Sequence, residues 1–216
     1  FHMARGWSDM YPELQFFKDF PEGPRKDATF VTDIPNRGFS GGAIITKNPP
    51  TIEWSVSQRF HPMYGKFTAS EDLTVVGRTM GYRAIEIYRY AEVLLIYAEA
   101  KAASGGLDAT ALSALNQVKR RAAGLDPNTP NAAVDVTTAT VQDIIDEKGW
   151  ELAAEHKRWF DLVRTETLES AILKRDPTEQ VPLVRQPGKA QYISPIPAEA
   201  IATSKLVQNP QGFKIQ

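Results

Sequence analysis

Cysteine is absent from the 216-residue chain, which removes disulfide staples, thiolate metal sites and a cysteine nucleophile together. Histidine is scarce, standing only at His2, His61 and His156. No apolar run approaches the ~20 residues that span a bilayer as a helix. No basic run stands out and the net charge is −1, which argues against a nucleic-acid surface. Neither a P-loop nor a G-x-G-x-x-G pattern occurs. The chain opens on Phe1 without a leading methionine or signal peptide, so the expectation is a fragment or processed piece with its targeting information upstream. What is present fits a globular object, because 42% hydrophobic residues are enough for a core.

The stretch TVQDIIDEKGWELAAEHKRWFDLVRT, from Thr140 to Thr165, contains no proline. Val141, Ile144, Ile145, Leu152, Trp159 and Val163 recur at helical spacing, which predicts one helix of about seven turns. Thr140 followed by Asp143 resembles a capping box at its start. Lys148, Glu155 and His156 fall on the same face, whereas Trp150 and Asp161 point the other way. Such a helix must be covered on more than one side.

Upstream, the order is different. Eight glycines and seven prolines punctuate residues 1–81, and apolar runs stay short. A charged turn leading into a short strand is expected around Ala28 to Thr32. Loops this long are functional or anchored by something else, and large aromatics are the usual plugs that anchor them. The Trp and Tyr residues of this segment are Trp7, Tyr11, Trp54 and Tyr64.

From Arg83 onward, AIEIY alternates as a short strand does. RYAEVLLIYAEAKAAS then predicts a helix over 89–104, apolar nearly all round and therefore buried. Glu92 and Glu99 stack on one edge of it, and a buried carboxylate needs a partner. Arg120, Arg121, Arg158 and Arg164 are the candidates. Paired carboxylates could also mean acid–base or metal chemistry, but a buried ion-pair network that pins helix packing is the simpler reading. Gly105-Gly106 stops this helix. A second helix over 109–123 turns Leu112, Leu115, Val118 and Ala122 inward. Together the pair fills roughly 34 residues, the length of one tetratricopeptide unit, so further helices must stack on it. Beyond Thr165, repeated prolines rule out a long helix, leaving an extended ending with a short helix near Ala198 to Ala202.

Four motifs in order, RYAEVLLIYAEA at 89–100, ALNQVKRRAAG at 114–124, WELAAEHKRWFDLVRT at 150–165 and the ending YISPIPAEAI…LVQNPQGF, resemble the SusD/RagB family. RGW…FKDFPEGPRKDATF also looks like the loop-rich middle of such proteins. The resemblance implies a mostly α fold, a tetratricopeptide-like scaffold with long irregular loops and short strands. Residues 1–82 are expected to be the loop-rich, ligand-facing segment, and 83–216 the C-terminal helical part of one larger domain. It further implies a surface lipoprotein of the Gram-negative outer membrane that captures oligosaccharides or polysaccharides over a SusC-like TonB-dependent transporter. Its membrane contact would be an N-terminal lipid anchor outside this chain. One departure is local: the family's E-R-R-x-E-L becomes Glu147-Lys148-Gly149-Trp150-Glu151-Leu152, which loses two expected partners for buried carboxylates. Gly149 also weakens the helix by ~1 kcal/mol relative to alanine. The matched motifs are structural, so they leave the ligand open.

Enzymatic readings are weak. Gly38-Phe39-Ser40-Gly41-Gly42 fits the G-x-S-x-G nucleophile elbow, but that motif needs a strand before it and a helix after. Here Asn36-Arg37 precede it and AIITKNPP follows. Glu155 and His156 are adjacent rather than arranged as H-E-x-x-H, so no metal site is expected. The sequence calls for no catalytic residue and no cofactor. Binding must come from loops held on the rigid helices, and Trp7, Tyr11, Trp54 and Tyr64 are the candidate ligand-stacking residues. Trp150 and Trp159 are set aside because both ride on the central helix. The alternative function is a helical-repeat module whose ligand is another protein.

Overall fold

The structure is a computed structural model, and it describes residues 11–35, 51–56, 60–66, 86–179, 188–189 and 192–208. Trp7, Ser40 and the glycine-rich loop around it lie outside the described residues. The chain divides into two compact units, Phe1–Lys157 and Arg158–Gln216.

The first unit begins with two short helices, α1 (Leu14–Asp19) and α2 (Pro24–Thr29). The Glu13 side chain caps α1 by accepting from the Phe16 amide, and Pro24 sits at the start of α2, where its missing N–H costs nothing. Strand β1 (Phe30–Val31) follows directly, so Ala28 and Thr29 are helical rather than part of the expected strand. Four short strands form two antiparallel ladders among the described residues. β1 pairs with β4 (Met63–Tyr64), Phe30 opposite Tyr64. β2 (Asp33–Pro35) pairs with β3 (Thr51–Glu53). A single 3₁₀ turn, Trp54–Val56, follows β3. Residues 86–88 of the expected AIEIY strand are not in a strand.

The helical scaffold follows. α3 (Tyr90–Ala103) and α4 (Ala109–Ala122) form an antiparallel hairpin, and α5 (Val141–Glu151) packs on α3. Gly105 and Gly106, with φ of 136° and 120°, make the turn after α3 that a side chain would strain. Asp108 caps α4, and Thr140 with Asp143 forms the capping box of α5. The core here is Ala91, Leu95, Ala98, Leu115, Val118 and Ile144. Asn116 adds a polar lock, exchanging two hydrogen bonds with the backbone of Val136 at 2.9 and 3.0 Å. Burying Leu95, Leu115, Val118 and Ile144 at roughly 1.5–3 kcal/mol each, with the two alanines adding less, is a main driving force of this unit.

The expected seven-turn helix is broken. α5 ends at Glu151, and α6 begins only at Arg158 and runs to Arg164. Between them, Ala154 and His156 take left-handed φ of 63° and 60°. No proline or glycine announces this break, so periodicity alone runs straight through it. The hydrogen bonds described below give the physical reason, because Glu155 and Lys157 each reach a partner from the turn.

The second unit holds α6, α7 (Leu168–Leu173) and α8 (Ala198–Thr203). Tyr192 donates to Glu169, and Lys189 pairs with Glu166 at 2.6 Å. The Gln208 amide brackets Ile196, accepting from its N–H at 2.9 Å and donating to its carbonyl at 3.0 Å. Extended backbone without a ladder is thereby held by side chains.

Candidate functional site

Three of the four aromatic candidates are described. Two belong to one cluster, in which Phe17, Phe20, Phe30 and Ala153 are buried and Phe16, Trp54, Tyr64 and Trp150 are half-buried. Phe30 is its hub. Phe17 and Phe20 meet it edge-on with centroids 5.0 Å away, and Tyr64 stacks on it at 5.6 Å and 29°. Trp54 meets Phe17 edge-on at 5.5 Å. These are the separations at which ring quadrupoles attract. Burial pushes the Tyr64 hydroxyl up to about 12, so it stays protonated at any physiological pH. Tyr11 stands with His61 instead, rings 5.3 Å apart and tilted. The Tyr11 hydroxyl is buried without a hydrogen-bond partner among the described residues.

Cations rim this cluster. Lys26 Nζ lies 4.6 Å from the Phe17 centroid and the Arg25 guanidinium 5.7 Å from that of Phe20. Arg25 also reaches α5, where its Nη1 donates to Glu147 at 2.5 Å and to Glu151 at 3.2 Å. Its Nε is buried without a hydrogen-bond partner among the described residues, and Nη1 carries both bonds.

Glu151 is the centre of a buried ionic network. Its side chain is 1% exposed and pairs with Arg25, Arg89 and Arg121. Arg89 also donates to Glu155 at 2.8 Å and to the Glu151 carbonyl at 2.7 Å. Lys66 pairs with Glu155 and donates to the Glu151 carbonyl at 2.8 Å. Lys119 lies 3.5 Å from Glu147. Burial alone would raise the Glu155 carboxyl, but hydrogen bonds from Arg89 and Lys66 outweigh it and hold the group below its ordinary value. Lys66 shifts the other way from what pairing alone dictates. Burial dominates on the ammonium and lowers it, whereas the carboxyl has two donors and keeps its charge.

This network gives Glu147 and Glu151 of Glu147-Lys148-Gly149-Trp150-Glu151-Leu152 their cationic partners. Its cations come from the loop segment (Arg25, Lys66), the N-cap of α3 (Arg89) and α4 (Lys119, Arg121), and local sequence could not point to them. It ties the irregular segment to the helices, which is what positions the aromatic cluster.

The carboxylates of α3 need a correction. Glu92 and Glu99 are buried and paired, and among the described residues a lysine stands beside each. Lys148 donates to Glu99 at 3.2 Å. Lys157 Nζ lies 3.2 Å from Glu92 off the hydrogen-bonding direction, a Coulombic contact. Lys157 can do this because the helix break turns it back, where it also donates to the Ile87 carbonyl at 2.6 Å and sits over the Tyr88 ring. Three of the four expected arginines pair with other carboxylates: Arg120 makes a two-pronged pair with Asp135 at 2.6 and 2.5 Å, Arg121 joins Glu151, and Arg164 pairs with Asp161.

Trp150 and Trp159, both set aside as helix-borne, part company. Trp150 packs into the aromatic cluster, whereas Trp159 is 47% exposed on α6 beside Phe160 at 67%. His156 is exposed. Among the described residues no group of three or more His, Asp or Glu could hold a metal ion, and no helix is long and apolar enough to cross a membrane.

Comparison with known proteins adds the frame for this geometry. The SusD family model matches residues 24–212. SusD-like protein P2 of Formosa agariphila is 27% identical over 97% of this chain and 41% of its own length. The solved structure of surface glycan-binding protein A from Bacteroides uniformis superposes with a TM-score of 0.63 at 25% identity, over 96% of this chain and 42% of that one. A SusD superfamily protein from Parabacteroides distasonis gives 0.65 at 24% identity, over 97% and 44%. The chain therefore spans about two-fifths of the length of these relatives.

Proposed function

The chain belongs to the SusD family, and from that premise we propose that it is part of a non-catalytic cell-surface protein that captures glycans for import. The observation that carries the reading is the family match over most of the chain. The likeness to a surface glycan-binding protein supports it. The aromatic cluster supplies a chemical basis. Sugars present flat C–H faces that stack on aromatic rings, with polar neighbours bonding the hydroxyls. Trp54 is the ring best suited to this among the four candidates, because it is half-buried against a rigid aromatic base and keeps surface for a ligand. Tyr64, with its hydroxyl buried, supports the platform; Tyr11 and Trp7 complete the proposed set.

The partner in this proposal is a SusC-like TonB-dependent transporter, and the location is the outer-membrane surface through an N-terminal lipid anchor. A capture protein feeding a transporter has no need to cleave its cargo. Accordingly, Ser40→Ala should leave glycan binding unchanged, and no hydrolysis product should appear from a bound glycan.

The test is affinity electrophoresis of the full-length protein through gels containing a panel of polysaccharides. Retardation by at least one of them, relieved by its free oligosaccharide, is expected. Unchanged mobility in every gel, with the protein folded, would overturn the reading in favour of a protein-binding repeat module.

A further inference from the structure

Lys26 of α2 is only 8% exposed, with its Nζ over the Phe17 ring. A buried ammonium is costly unless a carboxylate stands beside it. Other inward-pointing cations of this unit have carboxylates fixed in the structure. Arg25 and Arg89 meet Glu147, Glu151 and Glu155, Lys148 meets Glu99, and Arg120 meets Asp135, each of these carboxylates at most 18% exposed. Lys26 is the contrast. Its carboxylate partner is Glu22, at 2.5 Å, and the Glu22 side chain is 85% exposed. Glu22 belongs to the turn Pro21-Glu22-Gly23-Pro24, and among the described residues its side chain is held by Lys26 alone. An exposed carboxylate loses little by returning to water. The pair therefore opens easily, while the ammonium keeps its need for an anion.

We propose that Lys26 is the anion-recognition point of the aromatic platform, and that the captured glycan is acidic, its carboxylate or sulfate group taking the place of Glu22. The inference rests on the glycan-capture reading and adds a substrate class to it. Lys26 Nζ lies 4.6 Å from the Phe17 centroid, and Trp54, the ring assigned to stacking, lies 5.5 Å from the same centroid. Ammonium and indole are therefore no more than about 10 Å apart, the sum of those separations, so one ligand of two linked sugar rings reaches both. Glu22 sits in the turn between α1 and α2 and swings out without disturbing either helix. The Lys26 stem stays packed on Phe17 throughout. Glu53, next to Trp54, is already engaged by Ser55, whose amide donates to it at 2.9 Å. A carboxylate or sulfate ester accepts the charge-assisted hydrogen bond that Glu22 otherwise accepts. A neutral sugar hydroxyl does not replace that charge, so a neutral glycan leaves the pair closed and gains only the stacking.

Affinity electrophoresis of the full-length protein with matched polysaccharides tests it. The gels carry polygalacturonate beside its methyl ester and dextran sulfate beside dextran, together with the neutral members of the panel. Retardation is expected in an anionic gel and not in its neutral counterpart. Polygalacturonate would identify the recognised group as a carboxylate, and dextran sulfate as a sulfate ester. With the retarding polysaccharide, Lys26→Met keeps the stem on Phe17 and should weaken binding at least ~10-fold, as for loss of a charge-assisted hydrogen bond. Glu22→Gln should tighten binding by about 2- to 5-fold, because it removes a competitor with the strength of an exposed ion pair. A purely structural pair would not move affinity in that direction. Lys101→Met removes the same charge from the half-exposed pair with Asp108 and should change nothing. Retardation by neutral polysaccharides alone would overturn the inference and leave glycan capture standing, whereas retardation by none would overturn both. Equal losses in Lys26→Met and Lys101→Met, or unchanged affinity in Glu22→Gln, would also contradict it. If Lys26→Met fails to fold, the Glu22→Gln result decides alone.

Discussion

Arg25 stands over the Phe20 ring and reaches two glutamates of α5 at once, so the aromatic cluster and the ionic network share a residue. Glu151 is the focal acceptor of that network, and the buried side of each pair decides its worth. Removing one partner of a buried pair costs ~3–5 kcal/mol because the other charge is left without compensation. Glu151→Ala should therefore lose about that much stability in urea unfolding of the full-length protein. Arg121→Ala should lose under ~1 kcal/mol, because the Arg121 side chain is 52% exposed and water replaces what it gives. Equal losses would show that burial does not control the network. Glu155 adds a pH dependence. Its folded value lies below the ordinary 4.5, so its contribution is complete above that value and is lost as pH falls through the lowered one. Glu155→Gln should flatten the acid limb of the stability–pH curve, and an unchanged limb would contradict the assignment. At this scale the sequence showed that Glu92 and Glu99 needed partners, since carboxylates on an apolar helix are costly. It did not show that lysines supply them. Lys157 becomes available to Glu92 only once the chain turns at 152–157, and no periodicity encodes that turn.

The turn is the main event at the scale of elements. Ile144, Ile145 and Leu152 are buried as their spacing predicts, and the capping box at Thr140 is in place. Past Leu152 the helical arithmetic stops describing the chain, and Trp159 is exposed instead of continuing the stripe. Tertiary partners overrode local propensity: Glu155 meets Arg89 and Lys66, and Lys157 meets Glu92. The cost is borne by backbone. His156 holds a left-handed φ of 60° while exposed, a conformation costing roughly 1–2 kcal/mol for a residue with a Cβ. His156→Gly should then stabilise the protein by about 0.5–1 kcal/mol, after allowing for glycine's greater freedom in the unfolded chain. Thermal unfolding checks this, and a destabilised variant would mean that the imidazole makes contacts outweighing the strain. α1 and α2 escaped sequence reading for a related reason. Each is only six residues long, too short for a periodic signal, and the aromatic cluster holds them rather than their own propensity.

At the scale of the whole molecule, the scaffold was legible and the site was not. Helix positions at 90–103 and 109–122 follow from periodicity and glycine stops, and the motifs they carry are those by which the family was recognised. Those motifs serve packing, so they say nothing about a ligand. The aromatics of the loop segment carry the expected plug role in part, since Trp54 and Tyr64 share one cluster with Trp150 of α5. Which ring also meets solvent depends on contacts between Phe17, Phe30 and their neighbours, and these no spacing rule reveals. The central claim is that an aromatic surface fixed on this scaffold binds a glycan. Calorimetric titration of the full-length protein with an oligosaccharide, before and after Trp54→Ala, tests it most directly. The account predicts saturable binding that weakens by ~1–3 kcal/mol in the variant, as for other exposed anchor residues, with the unfolding midpoint nearly unchanged. Undiminished affinity in Trp54→Ala, or a loss that appears only with Trp159→Ala, would contradict it.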